Sequence, residues 1–230
     1  MPRAVSISHL LVLDAAPAAV RARVGAFQYM DGTLHAVTQE EADGHDGIAA
    51  MAVMAERCLA ATGWDAPDLV VTVVGPGSFT GLRTSCALAA GLAFGFDCPT
   101  VGVTRGEALS RTLDEQVRVD GLTGWLCVTT ARRGRWFVED ASGNVQAVAS
   151  AHWQPPEGRW LLAGDAAEDA ALAAPDRAVK AAGGEASLAE IARYGWVRGE
   201  GSVPWRAALP LYVDAPEAKL PAAGLRSEPV

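Results

Sequence analysis

Three groups of residues in this chain have the types and spacing that could do chemistry. The first is "VVGPGSFTGLRTS", Val73 to Ser85, a glycine-rich turn between an apolar run and a helical pattern. Backbone amides in that setting often grip phosphate. A P-loop needs G-x-x-x-x-G-K-[ST], but counting back from Gly81 puts Pro76 at the first glycine and Leu82 at the lysine. A dinucleotide fingerprint would use Gly75 and Gly77 and then need glycine at Thr80, and Gly81 comes one residue late. Nor is the turn a nucleophile elbow, since Ser78 has Pro76 where a glycine should stand. What remains is a structural turn. Gly75 and Gly77 permit a reversal that Pro76 stiffens, and Ser78 or Thr80 caps the first free amides of a helix that continues through Gly81 and Arg83. Gly77 is expected to hold a backbone conformation that a side chain would oppose.

The second group is a carboxylate and four histidines. Asp14 ends the aliphatic run "HLLVLDA", the pattern of a buried strand whose carboxyl end opens on a crevice. His9, His35, His45 and His152 include no pair four residues apart, the spacing that puts two rings on one helix face, so they build no local metal site. His45 reads as a polar residue near a helix start. The third group is Cys58, Cys86, Cys98 and Cys127, which form no C-x-x-C pair and read as small buried hydrophobes in a reducing compartment. No Ser/His/Asp set accompanies them.

Positioning these residues requires strands and helices. "HLLVLDA" and "VRARVGAFQYMDGTLHAVTQE", with Asp31-Gly32 as a tight turn, predict a three-stranded meander. From Asp46 to Thr62 the pattern becomes helical, with Ile48, Met51, Ala55, Cys58 and Leu59 at three- and four-residue spacing and Gly63 just past the end. Asp68 to Val74 predicts a buried strand, Thr80 to Phe94 a second helix, and Cys98 to Thr104 a further strand. The order implies α/β architecture, a mixed sheet with packed helices. Past residue 105 the texture changes, so a lobe boundary is expected there. "GWLCVTTARRGRWFVEDASGNVQAVA" predicts two or three antiparallel strands turning at Ser142-Gly143-Asn144, "WLLAGDAAEDAAL" a strand running into a helix, and Ser187 to Trp196 another helix. The divisions are 1–105, 106–212, and an extended tail at 213–230.

In the second helix Gly81, Ser85, Ala89 and Ala93 recur every four residues beside Cys86 and Ala90, leaving a face with little bulk that another helix can approach closely. The first helix is built of similar material, with Met51 and Met54 as deformable fillers. Two helices this apolar have surface enough for a contact beyond their own sheet.

Composition limits the partners. The chain has 230 residues, half of them hydrophobic, and a net charge of −8, which sets it against direct binding of nucleic acid. Arg132, Arg133 and Arg135 are the nearest thing to a basic patch and read as a solvated hairpin edge. No signal core is recognised in the first residues, no segment reaches the roughly 20 apolar residues of a membrane span, and the cytoplasm is the expected location.

"VVGPGSFTGLRTSCALAAGLAFG" with "CPTVGVTRGEALS" closely resembles the signature of the bacterial TsaB (YeaZ) family, and "PLYVDAPEAKLP" resembles that family's C-terminal segment. In the second lobe only "ARRGRWFVE" and "LLAGDA" match. The resemblance implies an actin-like (ASKHA) fold of two related lobes. It also implies a non-catalytic subunit that binds TsaD, the enzyme placing threonylcarbamoyl on tRNA adenosine. The ATPase TsaE would join the pair, tRNA would be met only through the complex, and the isolated chain could form a homodimer. The expected interface is Ile48, Met51, Met54, Ala55 and Cys58 on the first helix with Leu82, Ser85, Cys86, Ala89, Ala90 and Ala93 on the second. No cofactor, metal or catalytic residue is expected. The sequence departs from the family at Asp14-Ala15-Ala16-Pro17, which lacks the usual hydroxyls, and at Thr129-Thr130-Ala131-Arg132, where a family Asp commonly precedes Ala-Arg. The alternative is a stand-alone actin-like phosphotransferase or acyltransferase on a small metabolite, with Asp14 as its surviving metal–water ligand. A peptidase reading lacks both a nucleophile arrangement and a metal pair.

Overall fold

A computed structural model of the chain describes residues 7–17 and 21–213. Strands β1 (His9–Asp14), β2 (Arg21–Met30) and β3 (Thr33–Asp43) form the expected antiparallel meander. Asp31 and Gly32 both take positive φ, 53° and 79°, the geometry of a turn that follows strand twist. Strands β4 (Leu69–Gly75) and β5 (Thr100–Thr104) extend this sheet in parallel, in the order β3-β2-β1-β4-β5. The second sheet contains β6 (Gly124–Ala131), β7 (Arg135–Asp140), β8 (Val145–Ala149), β9 (Trp160–Ala163) and β10 (Ala178–Lys180). Read from its antiparallel edge, its order is β8-β7-β6-β9-β10. Position by position this repeats the order and strand senses of the first sheet. This duplication is the actin-like (ASKHA) fold.

Helices fill the faces of the two sheets. On β1, Leu11 and Leu13 face an outer core shared with α1 (Gly44–Thr62) and α2 (Phe79–Phe96), whereas Leu10 and Val12 face an inner core. That alternation is the two-residue period of a strand buried on both sides. The inner core joins the two sheets through α3 (Arg105–Asp120) and α5 (Leu188–Gly199), with Leu109, Leu113, Leu188 and Ile191 buried among residues of both. The short α4 (Ala167–Ala173) covers the outer face of the second sheet.

Two elements go beyond the sequence pattern. Helix α3 begins at Arg105, directly after β5. Thr104 accepts from the Glu107 amide while the Glu107 side chain accepts from the Thr104 amide, a complete capping box, and Gly121 closes the helix at φ 62°. Strand β10 is only three residues long. The chain also does not remain in the second lobe to its end. Helix α5 packs back on the first sheet, and the segment after it runs beside β5, where the Gly102 amide donates to the Arg206 carbonyl (2.9 Å). Farther on, the Leu211 amide donates to the Val74 carbonyl (2.8 Å). Of the expected tail only Val213 lies within the described residues.

Helix α2 corrects the expectation about membrane-length segments. Its 18 residues have a mean hydropathy of 1.2, enough by length and composition to cross a bilayer. One side of it is nevertheless buried inside the protein, with Ala89 and Ala93 in the outer core, Leu82 in the inner core, and Ser85 and Cys86 buried beside them.

Candidate partner interface and the junction between the lobes

The glycine turn is filled by the chain's own backbone. A Cβ on Gly77 would overlap the Ala16 carbonyl oxygen, and one on Gly81 would overlap that of Ala15. The Ser78 amide donates to the same Ala16 carbonyl at 2.9 Å. Ser78 caps α2 by accepting from the Gly81 amide at 3.3 Å; Thr80 instead has its carbonyl engaged by Thr84. Positive φ falls at Gly75 (131°), just before Pro76, so close approach rather than backbone strain makes residue 77 a glycine.

Asp14 is 2 % exposed and both of its oxygens are engaged. Oδ1 accepts from the Ala16 amide at 2.9 Å, and Oδ2 accepts from Nε (3.1 Å) and Nη2 of Arg23. Arg23 in turn lies 3.7 Å from Glu185 of the second lobe. At the end of β6, the Thr130 amide donates to Asp165 Oδ1 (2.6 Å), and Asp165 Oδ2 holds Nη1 of the buried Arg105 (2.8 Å). The junction between the lobes is therefore closed by internal ion pairs. A carboxylate already held by an arginine and an amide is poorly placed to bind a metal–water shell. Among the described residues no cluster of His, Cys, Asp and Glu is grouped to hold a metal. Burial pushes the thiols of Cys86 and Cys127 up, to about 11 and about 12, so both stay protonated and unreactive at neutral pH.

A second buried cluster, missed in the sequence, ties β7 to α3 and α5. Glu139 is fully buried against the start of α3, where it accepts from the Thr104 hydroxyl and from the Gly106 amide (2.8 Å). A Cβ on Gly106 would come within 2.6 Å of the Glu139 carboxyl carbon, so this glycine makes the seat. Burial pushes Glu139 up to about 7, partly offset by those two hydrogen bonds. Burial also pushes Glu107 upward, but hydrogen bonds from Arg198 (2.7 Å) and the Thr104 amide, with the charges of Arg198 and Arg206, hold it below the ordinary range. The Thr104-x-x-Glu107 capping box was the one sequence signal for this site; Glu139 and Arg198 lie too far along the chain to be paired by spacing.

The expected interface residues divide sharply. Ile48, Met51, Met54, Ala55 and Cys58 of α1, and Leu82, Ser85, Cys86, Ala89 and Ala93 of α2, are all buried inside the chain, at 7 % exposure or less. They hold the helices to their own sheet and are not available to a partner. Ala90 is exposed. The free face of α2 lies beside it, with Arg83, Ala87, Ala90, Gly91 and Phe94 exposed at helical spacing and Phe94 91 % accessible. On α1 the exposed counterpart includes Ala49, Ala52 and Val53.

Two solved structures share this geometry over nearly the whole chain. One, described as an uncharacterized protein with similarity to peptidase YEAZ from Pseudomonas aeruginosa, superposes with a TM-score of 0.67 at 20 % identity, covering 90 % of this chain and 100 % of that one. YeaZ from Pseudomonas aeruginosa gives 0.63 at 20 % identity with the same coverage. The fold is YeaZ-like. A family model for TsaD, tRNA N6-adenosine threonylcarbamoyltransferase, matches residues 40–150, a little under half of the chain. That span runs from the end of β3 through α1, α2 and α3 to Ser150, just after β8. Both findings support the resemblance to the TsaB (YeaZ) family carried by the sequence motifs. No curated protein matches the chain by sequence.

Proposed function

We propose that this chain is a TsaB-type subunit of the complex that makes threonylcarbamoyladenosine in tRNA, binding and activating TsaD without catalysing a step itself. The observation that carries the reading is the free face of α2, where Ala87, Ala90 and Gly91 leave the backbone open to a neighbouring helix and Phe94 stands almost fully exposed. An apolar helix face of this kind has a use when a partner covers it. The YeaZ-like fold and the TsaD family match over the same helices support TsaD as that partner. TsaE joins the pair, a homodimer through the same face is the state open to the chain alone, tRNA is met only through the complex, and the location is cytoplasmic.

The occupied Asp14 and the loop packed into the glycine turn support a non-catalytic role over phosphotransfer or acyl transfer. The test is co-purification with the TsaD of the same cell, followed by tRNA modification with and without this chain. The reading requires a stable complex and modification that depends on it. Tight magnesium-dependent ATP binding by the isolated chain, with turnover lost in Asp14→Ala, would install the phosphotransferase alternative.

A further inference from the structure

Arg83 is the only charged residue of α2, and the structure gives it an aromatic frame. Its guanidinium carbon lies 3.8 Å from the Phe79 ring centroid and 5.7 Å from that of Tyr212, and its Nε donates to the Tyr212 hydroxyl at 3.1 Å. The two rings meet edge to face at 6.3 Å, and both are about half exposed, 48 % for Phe79 and 57 % for Tyr212. Among the described residues no carboxylate pairs with Arg83, and its Nη groups carry no hydrogen bond. Those Nη groups form the edge of the fork that fits a carboxylate. Stacking fixes the guanidinium plane before any ligand arrives, so less side-chain entropy is lost on binding.

Arg83 also begins the exposed stripe that continues through Ala87, Ala90 and Phe94. A partner lying along that stripe covers the cation, and a covered cation without a counter-charge is strongly unfavourable. An occupant of this face therefore has to bring an anion to this end of it. The small residues in the middle of the stripe fit a helix. We infer that the Phe79–Arg83–Tyr212 cluster is a receptor for an Asp or Glu side chain on the partner helix that packs along α2. The inference rests on the partner-face reading above and adds to it a charged contact that sets the register of the two helices. The net charge of −8 favours a carboxylate on a protein over a nucleic-acid phosphate, because a polyanion would be repelled by the rest of the surface.

The experiment is calorimetric titration with the TsaD of the same cell at low and high salt, using wild type, Arg83→Ala, Arg83→Gln, Arg83→Glu and Ala90→Arg. Circular dichroism of each free variant checks folding, and Arg83→Gln keeps the shape of the side chain if Arg83→Glu perturbs it. The expected result is roughly a tenfold or greater loss with a weaker salt dependence for Arg83→Ala and Arg83→Gln, and for Arg83→Glu a larger loss that added salt partly relieves. An Asp or Glu→Arg change in TsaD should restore binding to Arg83→Glu. If Ala90→Arg abolishes binding while the Arg83 variants match wild type in affinity and salt dependence, the receptor is refuted and the partner face stands. If Ala90→Arg binds like wild type, the face itself is wrong and the receptor falls with it. If removing residues 214–230 erases the Arg83 effect, the carboxylate belongs to the chain's own tail, and the proposal is overturned.

Discussion

The two lobes repeat one strand order but are dressed differently on the outside. The first sheet carries α1 and α2, helices of 19 and 18 residues, whereas the second carries the seven-residue α4. Helix α2 is capped by Ser78 and α4 has no side-chain cap. Inside, the lobes are alike. Each brings backbone against a glycine just past its fourth strand, Gly77 on the Ala16 carbonyl and Gly164 on the Val128 carbonyl, and an arginine–aspartate pair lies near each, Asp14 at the end of β1 with Arg23, and Asp165 just past β9 with Arg105 at the start of α3. The duplicated interior makes the frame, and the difference in exterior helices supports the proposal that the contact surface lies on the first lobe.

That comparison can be broken by experiment. The largest effect is expected from Ala90→Arg, which places charge and bulk on the free face of α2. It should abolish the TsaD complex, a loss of more than about a hundredfold, with the thermal midpoint of the free chain nearly unchanged. Leu172→Arg, on the exposed side of α4 at 74 % accessibility, should leave binding intact. Pull-down or calorimetry reads both, and equal losses from the two would end the assignment to the first lobe.

Gly77→Val and Gly164→Val probe the shared interior. Each puts a side chain into a backbone carbonyl, and Gly164 additionally has φ 100°, so each should cost about 3 kcal/mol or more in denaturant unfolding. A tolerated change at either site would show that the lobes are not held in the same way.

Glu139→Gln tests the seam between the lobes. The folded carboxyl is raised from an ordinary 4.5 to about 7, so its contribution to stability is fully present below pH 4.5 and is lost as the pH rises through about 7. Removing the titration should flatten stability across that window by about 3 kcal/mol, an order-of-magnitude figure, leaving the variant no less stable than wild type at pH 8. Urea midpoints measured from pH 5 to 8 give the answer; a wild type and variant with parallel profiles would remove Glu139 as the titrating group. The smallest effect belongs to Ser78→Ala, which takes one cap from α2 and should lower stability by about 1 kcal/mol. Because α4 has no such cap to lose, the measurement sharpens the contrast between the outer helices.

Much of the frame was legible in the sequence. The meander, the first two helices and the strand–helix passage at Gly164 announced themselves through turn dipeptides and apolar period. Helix α3 did not, since it lies between two sheets with a narrow apolar stripe around Leu109 and Leu113 and is otherwise polar; its capping box and Gly121 were the readable marks. The proposed partner face was harder for a physical reason. Helix α2 is apolar nearly all round, so period alone cannot say which side meets its own sheet, and the four-residue series Gly81, Ser85, Ala89, Ala93 proves to be the inner side. The pair Asp14–Arg23 is set by the register of β1 against β2, in which the two residues face each other, whereas Arg105–Asp165 and Glu107–Arg198 are made by topology, which no local spacing encodes.

The strip of chain after α5 has a bearing on assembly. By occupying the Gly102 amide it lies along the β5 margin of the first sheet, and farther on it takes the Val74 carbonyl near the end of β4. The opposite margin, β3, is lined with Glu40, Glu41 and Asp43, charges that discourage another strand from joining. Growth of this sheet by strand addition is thereby disfavoured at both margins, which protects a chain rich in apolar strands from edge-to-edge aggregation.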